Sequence, residues 1–301
     1  MNVKQLGVLM VSGGVLGLPA AAFAQTAQSQ ASILTSTTVD YGGAEGLAMG
    51  GHSQIVAAET TISLSAGFMH TQYHENIREG SGDDENGFTP GFGVGLSGLV
   101  PFPPIRADIY SALNYDFNAG NITYGGHYLY SGLPAFATDN TVFNRIEARL
   151  GVGFPLGDEV ELIPFVAGGY QAWNRNVNQK DEIGTDEHYY AGLMGGGLKL
   201  DVAAGPRWVL SATGELLALE GGRVEFNSVG GGGNFGITPE ERFEMAADYN
   251  VTGRIHTFMK LYWEHFDYSG SKPSLHTPYF YEPLSTTTQF GANLGVAYSF
   301  Y

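Results

Sequence analysis

Apolar residues recur at every second position through most of this chain, and the segments carrying that pattern are joined by connections that are alternately short and long. A period of two puts neighbouring side chains on opposite faces of an extended strand. Ile62, Leu64, Ala66 and Phe68 share one face, with Ser63, Ser65 and Gly67 on the other. Phe92, Val94 and Leu96 alternate with Gly91, Gly93, Gly95 and Ser97. Ile109, Leu113 and Tyr115 alternate with Asp108, Tyr110, Asn114 and Asp116, and Ile146, Ala148, Leu150 and Val152 with Arg145, Glu147, Arg149 and Gly151. Leu162, Val166 and Tyr170 oppose Gln171, Trp173 and Arg175. Further strands are expected over 188–201 and 208–225. Phe243, Met245 and Ala247 then oppose Arg242, Glu244 and Asp248, and Met259, Leu261 and Trp263 oppose Lys260, Tyr262 and Glu264. The last segment sets Phe290, Ala292, Leu294, Val296 and Tyr298 against Gln289, Asn293 and Ser299.

Short turns are expected at 101–104, 155–158, 204–206 and 250–253, and long connections at 76–87, 118–140, 176–187, 227–240 and 269–286. A soluble β-sandwich has no reason to alternate its connections in this way. An up-and-down barrel crossing a bacterial outer membrane does, because its periplasmic turns are short and its outer loops long. The expected fold is therefore all-β: a transmembrane antiparallel up-and-down β-barrel over 60–301, of about ten strands (8 to 12), with both ends of the chain in the periplasm. The stretch 122–130, inside the second long connection, is readable as a strand extension or a hairpin of its own.

The chain begins with the pattern of an export signal. Lys4 gives a positive start, a mostly apolar run extends from Leu6 to Ala22, and Ala22-Phe23-Ala24 meets the small-x-small rule. Residues 1–24 are expected to be removed, with the mature chain starting at Gln25. Residues 25–59 sustain no period and read as a flexible periplasmic segment, a plug entering the barrel being the alternative.

Charged residues make up 15% of the chain, against roughly 25% in an ordinary soluble domain. With 44 glycines and 35 Tyr and Phe (17 and 18), this suits a barrel whose outer face meets lipid. A net charge of −16 argues against nucleic acid as a partner. The chain has no cysteine, so closure of the sheet has to do what disulfides do elsewhere in exported proteins.

On the faces opposite the apolar stripe lie Asp108, Arg145, Glu147, Arg149, Arg175, Glu215, Arg242, Glu244, Lys260 and Glu264. These are expected to point into the bore and to pair there, since a buried charge without a partner is too costly. No catalytic set, metal site or cofactor is assigned. Asp83 and Asp84 with His265 and Asp267 are the residue types of an omptin-like protease constellation, but adjacent aspartates on a strand point apart. The run Asp83-Asp84-Glu85-Asn86 offers oxygens for Ca²⁺ and reads as a solvated loop tip. His70, His74, His127 and His188 have no ligand spacing. Gly230 to Gly233 lacks the Lys-Ser/Thr of a phosphate loop.

The chain ends Asn293-Leu294-Gly295-Val296-Ala297-Tyr298-Ser299-Phe300-Tyr301. Asn293, Gly295, Tyr298 and Phe300 resemble the C-terminal signal that the outer-membrane assembly machinery reads in bacterial barrels, and Tyr301 is one residue beyond the usual end. From Ile62 onward the chain resembles proteobacterial outer-membrane β-barrel proteins of modest size. The stretch Pro164-Phe165-Val166-Ala167-Gly168-Gly169-Tyr170-Gln171-Ala172-Trp173 is similar to strands of such proteins without assigned function. The resemblance implies the fold, the outer membrane, and the assembly machinery, lipid and lipopolysaccharide as partners, with the surface ligand unassigned. Three roles are compatible: a structural or surface-interaction barrel with a filled polar lumen, a narrow porin-like channel, and an outer-membrane hydrolase of protease or lipid A deacylase type.

Overall fold

The computed structural model describes residues 50–77, 82–127, 132–178, 186–227, 230–272 and 281–301. The expected export signal and most of the 25–59 segment lie outside the described residues. One helix, α1 (Gly51–Glu59), precedes β1 (Thr61–Glu75), β2 (Asp84–Phe102), β3 (Ala107–His127), β4 (Pro134–Pro155), β5 (Val160–Asn178), β6 (Asp186–Ala203), β7 (Trp208–Phe226), the three-residue β8 (Gly232–Asn234), β9 (Thr238–Asn250), β10 (Ile255–Ser269) and β11 (Leu284–Ser299).

Each barrel strand pairs antiparallel with its neighbours in the chain. β1 pairs with β11, and β7 pairs with both β6 and β9, so the sheet closes on itself. β8 adds only a short ribbon to the end of β7. The described sheet is thus an up-and-down barrel of about ten strands, as the alternation implied.

Facing follows the sequence pattern. Leu64, Leu96, Leu150, Val166, Leu216, Leu294 and Val296 point outward and are exposed. A continuous apolar girdle of this size has no place on a soluble monomer, and hydrocarbon is the neighbour that fits it. Aromatic pairs rim the girdle: Trp208 with Tyr249 and Tyr298 with Phe300 near the short-turn end, Phe68 with Phe88 and Phe92 with Phe117 toward the other.

Most strands outrun the membrane. β4 has 22 residues and β3 has 21, where roughly 9–11 tilted residues cross a bilayer. The extra length lies beyond the second rim. There β3 and β4 stay paired as far as His127 and Pro134, so the long connection expected over 118–140 is mostly strand. The reason is that the alternation changes sign. Once the outside is water, Asn121 and Thr123 face out while Ile122 and Tyr124 pack inward. In β7 a bulge near Glu220–Gly221, where Gly221 takes φ 59°, switches the inward positions from odd to even numbers.

α1 falls within the 25–59 segment that was expected to be irregular and flexible. It contacts β2, β5, β6, β7 and β11 at the short-turn end of the barrel, and Ile55, Val56 and Ala57 are buried. Leu99, Tyr110, Ile163, Phe165, Ala203 and Val209, all inward and buried, belong to the same apolar cluster. A polar lumen was the expectation; at this end it is instead a greasy socket holding the helix. Ser299 Oγ donates to the Ala57 carbonyl at 2.8 Å, and Lys199 Nζ donates to Glu59 at 2.7 Å.

Candidate functional site

The inward polar residues form separate layers along the bore. The central layer is carried by β4, β7, β9 and β10. Arg145 reaches Glu240 at 2.6 Å, Glu147 at 2.6 Å and Glu264 at 3.3 Å. Arg149 reaches Glu147 at 2.7 Å and Glu215 at 2.6 Å. Arg242 donates to Glu264 and lies 4.5 Å from the centre of the Tyr262 ring. Lys260 is held more loosely, 3.7 Å from Glu244 and 4.0 Å from Asp116. Alternate positions on one strand supply successive members, which is why Arg145, Glu147 and Arg149 form a ladder rather than three isolated charges. Between this layer and α1 lies a cavity of about 140 Å³. The inward Ser63, Ser65, Gly93, Gly95 and Ser97 of β1 and β2 are too small to fill it.

Of the ten expected lumen residues, eight meet in or beside this layer. Arg175 and Asp108 do not. Arg175 sits in a second layer above the membrane, where its guanidinium binds Glu85 at 2.6 Å, Glu187 at 2.8 Å and the Tyr189 hydroxyl at 2.7 Å. It also stacks 4.2 Å from the centre of the Tyr73 ring. Tyr73 and Tyr189 each donate to Glu282, at 3.0 and 2.6 Å. Carboxylates outnumber cations here, and the excess is reflected in proton affinity. Burial, together with the Asp83 charge, pushes Glu75 up to about 7. Burial, together with the neighbouring Glu85, pushes Asp139 up to about 8. Burial likewise holds the Glu282 carboxyl well above the ordinary range.

Asp108 lies at the opposite, short-turn end. It accepts from His52 of α1, Nε2 to Oδ2 at 2.7 Å, and Glu161 of β5 lies 3.6 Å from the same imidazole nitrogen. Among the described residues these three form a group able to offer a metal one ligand atom each.

Sequence reasoning missed Glu240, Glu282, Lys199, Glu161 and His52, and it put Glu85 in a solvated loop tip where the structure buries it against Arg175. Glu240 follows Pro239 in a stretch read as loop, and Glu282 reaches Tyr73 and Tyr189 from within a connection. No period marks such residues. Lys199 was legible, since it alternates with Leu198 and Leu200.

Other expected features stay apart. Asp83 takes the Tyr124 hydroxyl, Asp84 pairs with His74, Glu85 with Arg175 and Asn86 with His70, so this run does not converge on one ion. His265 bonds Thr288 and lies parallel to Trp263 on the outer wall, away from the inward Asp83. Asn293 and Gly295 face inward and Tyr298 and Phe300 outward at the lipid rim.

Closed pairing, an apolar outer girdle and aromatic rims together define where the molecule lives. The chain is an outer-membrane β-barrel. No family model matches it, and no curated protein matches its sequence. Solved structures similar to it include the outer membrane protease OmpT from Escherichia coli, at 12% identity and TM-score 0.49, covering 80% of this chain and 97% of that one. The transport unit of the autotransporter AIDA-I from Escherichia coli has 9% identity and TM-score 0.48, covering 92% and 98%. Neisserial surface protein A has 11% identity and TM-score 0.34, covering 79% and 97%.

Proposed function

We propose that this protein is a non-conducting surface barrel, whose bore is closed in series and whose tall extracellular end is the working part. The observation that carries the reading is the central ion-pair layer: Arg145, Glu147, Arg149, Glu215, Glu240, Arg242 and Glu264 are all buried, and side chains paired this closely support a bore without a continuous aqueous path. α1 closes the short-turn end, and Met69, Phe143, Gln171, Phe266 and Gln289 are buried inward between the central and upper layers. Above the lipid rim many outward residues are polar, among them Gln72, His74, Asn140, Asn176, Arg223 and Glu225, with Leu133, Phe136 and Ile237 exposed between them. Lipopolysaccharide is the proposed neighbour at the rim, and the assembly machinery the proposed reader of Asn293, Gly295, Tyr298 and Phe300. The test is single-channel recording in planar bilayers. The reading expects no steady open state. Sustained ion flow through the native protein would replace it with the narrow-channel role.

A hydrolase is the second reading, favoured by the crowded carboxylates of the upper layer. Asp139 is pushed up to about 8 by burial and by the neighbouring Glu85, and two carboxyl groups this close, one of them holding its proton at neutral pH, are the residue types of general acid–base hydrolysis. His265 takes no part in this version. Cleavage of peptides or deacylation of lipopolysaccharide, lost in Asp139→Asn, would establish it.

A further inference from the structure

The contact between α1 and the barrel wall contains more negative charge than its protein partners balance. Asp108 on β3 is bound by His52. Glu161 on β5 is 0% exposed, and neither of its carboxylate oxygens has a hydrogen-bond partner among the described residues. Asp201, its register partner on β6, adds a third buried carboxylate, and the one lysine there, Lys199, is shared between Asp201 at 3.4 Å and Glu59 at 2.7 Å and makes no ion pair with Glu161 among the described residues. The wall makes room for this crowding. A methyl group at Gly153 would meet Glu161 Oε1 at 2.2 Å, so the missing side chain is what lets Glu161 lean toward Asp108.

An ordinary His–Asp pair explains one carboxylate and leaves the other buried and uncompensated, which is an expensive arrangement. A divalent cation resolves it. His52 Nε2, an Asp108 oxygen and a Glu161 oxygen all lie within 4.8 Å of one another. A tetrahedral shell at roughly 2.0–2.2 Å separates neighbouring ligands by about 3.3–3.6 Å. The present separations from the imidazole nitrogen are 2.7 Å to Asp108 and 3.6 Å to Glu161, so Glu161 already stands at ligand spacing and the His52–Asp108 pair has to open by about 0.6–0.9 Å to admit the ion. One imidazole and two carboxylates suit a first-row transition ion better than Ca²⁺ or Mg²⁺, which take oxygen ligands. The His52 side chain is 32% exposed, which leaves a route in and a coordination position for water.

We propose that His52, Asp108 and Glu161 bind a divalent transition-metal ion, of the Zn²⁺ class, that pins α1 to the short-turn mouth of the barrel. The ion neutralises two carboxylates that the fold otherwise buries side by side. It also ties a helix to β3 and β5 through one ligand from each.

The test uses untagged full-length protein, folded in detergent and stripped with chelator. Zn²⁺ is titrated in competition with a chromophoric chelator, and Co²⁺ is added separately to read its visible absorption. The expected result is about one tight equivalent of Zn²⁺ per chain. Glu161→Gln and His52→Ala should each weaken it at least tenfold, with the Co²⁺ spectrum altered in His52→Ala. Asp84→Asn, which touches only the exposed His74 pair, should change nothing. Should His52→Ala fail the gel-shift check for a folded barrel, the near-isosteric Glu161→Gln and Asp108→Asn decide the matter. Native protein that takes up no stoichiometric Zn²⁺ overturns the proposal, as does Glu161→Gln binding like the native chain. Ca²⁺ displacing Zn²⁺ at equal concentration would do the same, because it would take the imidazole out of the site.

Discussion

Replacing Glu147 by alanine strikes the central layer at a carboxylate that both Arg145 and Arg149 share. Its oxygens accept from Arg145 Nη2 at 2.6 Å and from Arg149 Nε at 2.7 Å, and all three side chains are buried. Breaking a buried pair by removing one partner costs about 3–5 kcal/mol, because the survivor stays charged and desolvated. Here each arginine keeps another carboxylate, Arg145 with Glu240 and Arg149 with Glu215. The expected loss is therefore at the lower end, about 3 kcal/mol. Glu147→Gln keeps an acceptor but removes the charge. Hydrogen bonds to charged groups exceed neutral ones by roughly 1–2 kcal/mol, so this variant should fall between alanine and native. The assay is reversible urea unfolding in detergent micelles, followed by tryptophan fluorescence and by the shift between folded and boiled bands on gels. Losses under about 0.5 kcal/mol for Glu147→Ala, the range of ordinary surface changes, would mean that water fills the bore at this level. The closed-layer argument would then be wrong.

Leu150→Arg places a charge on the outward face of β4, where Leu150 is 62% exposed. It should cost about 2–4 kcal/mol near the bilayer midplane in the same refolding assay, and a neutral result would count against this facing. Gly291→Ala would set a methyl 2.0 Å from the Tyr262 ring. A loss of about 1–3 kcal/mol is expected from overpacking, relieved when Tyr262→Ser is added; additive losses in the double variant would contradict the contact. The upper layer should make stability fall with pH. Glu75 and Asp139 bind protons more tightly folded than unfolded, so their contribution is complete below the unfolded carboxylate range and is lost as pH rises through about 7 to 8. Protection of amides near β1 and β4, after division by the intrinsic pH dependence of exchange, should fall from about pH 5 to about pH 8, and Asp139→Asn should flatten that slope. Protection that rises with pH over this range would refute the assignment.

The membrane-crossing part of the barrel was legible because lipid outside and polar groups inside impose one rule on every strand. Leu150 beside Arg149 announces its direction from composition alone. Beyond the lipid rim that rule inverts, and the pattern at Ile122 and Tyr124 left a strand extension and a separate hairpin undecided because their apolar side chains point the other way. The socket for α1 was hidden for a related reason: Ile163 and Phe165 are inward yet apolar, answering to a helix with no period of its own. The two ends of the polar system resisted reading because their members come from distant elements. His52, Asp108 and Glu161 share no local spacing, and Glu282 arrives from a connection.

The central claim is that one set of alternate residues faces hydrocarbon and the other faces a packed interior. The chain has no cysteine, so single cysteines can be placed in turn at positions 62 through 69 and spin-labelled in lipid vesicles. The account predicts oxygen contact that alternates strictly, high at 62, 64, 66 and 68 and low at 63, 65, 67 and 69. Accessibility without that alternation, in a protein inserted in the membrane, would contradict it.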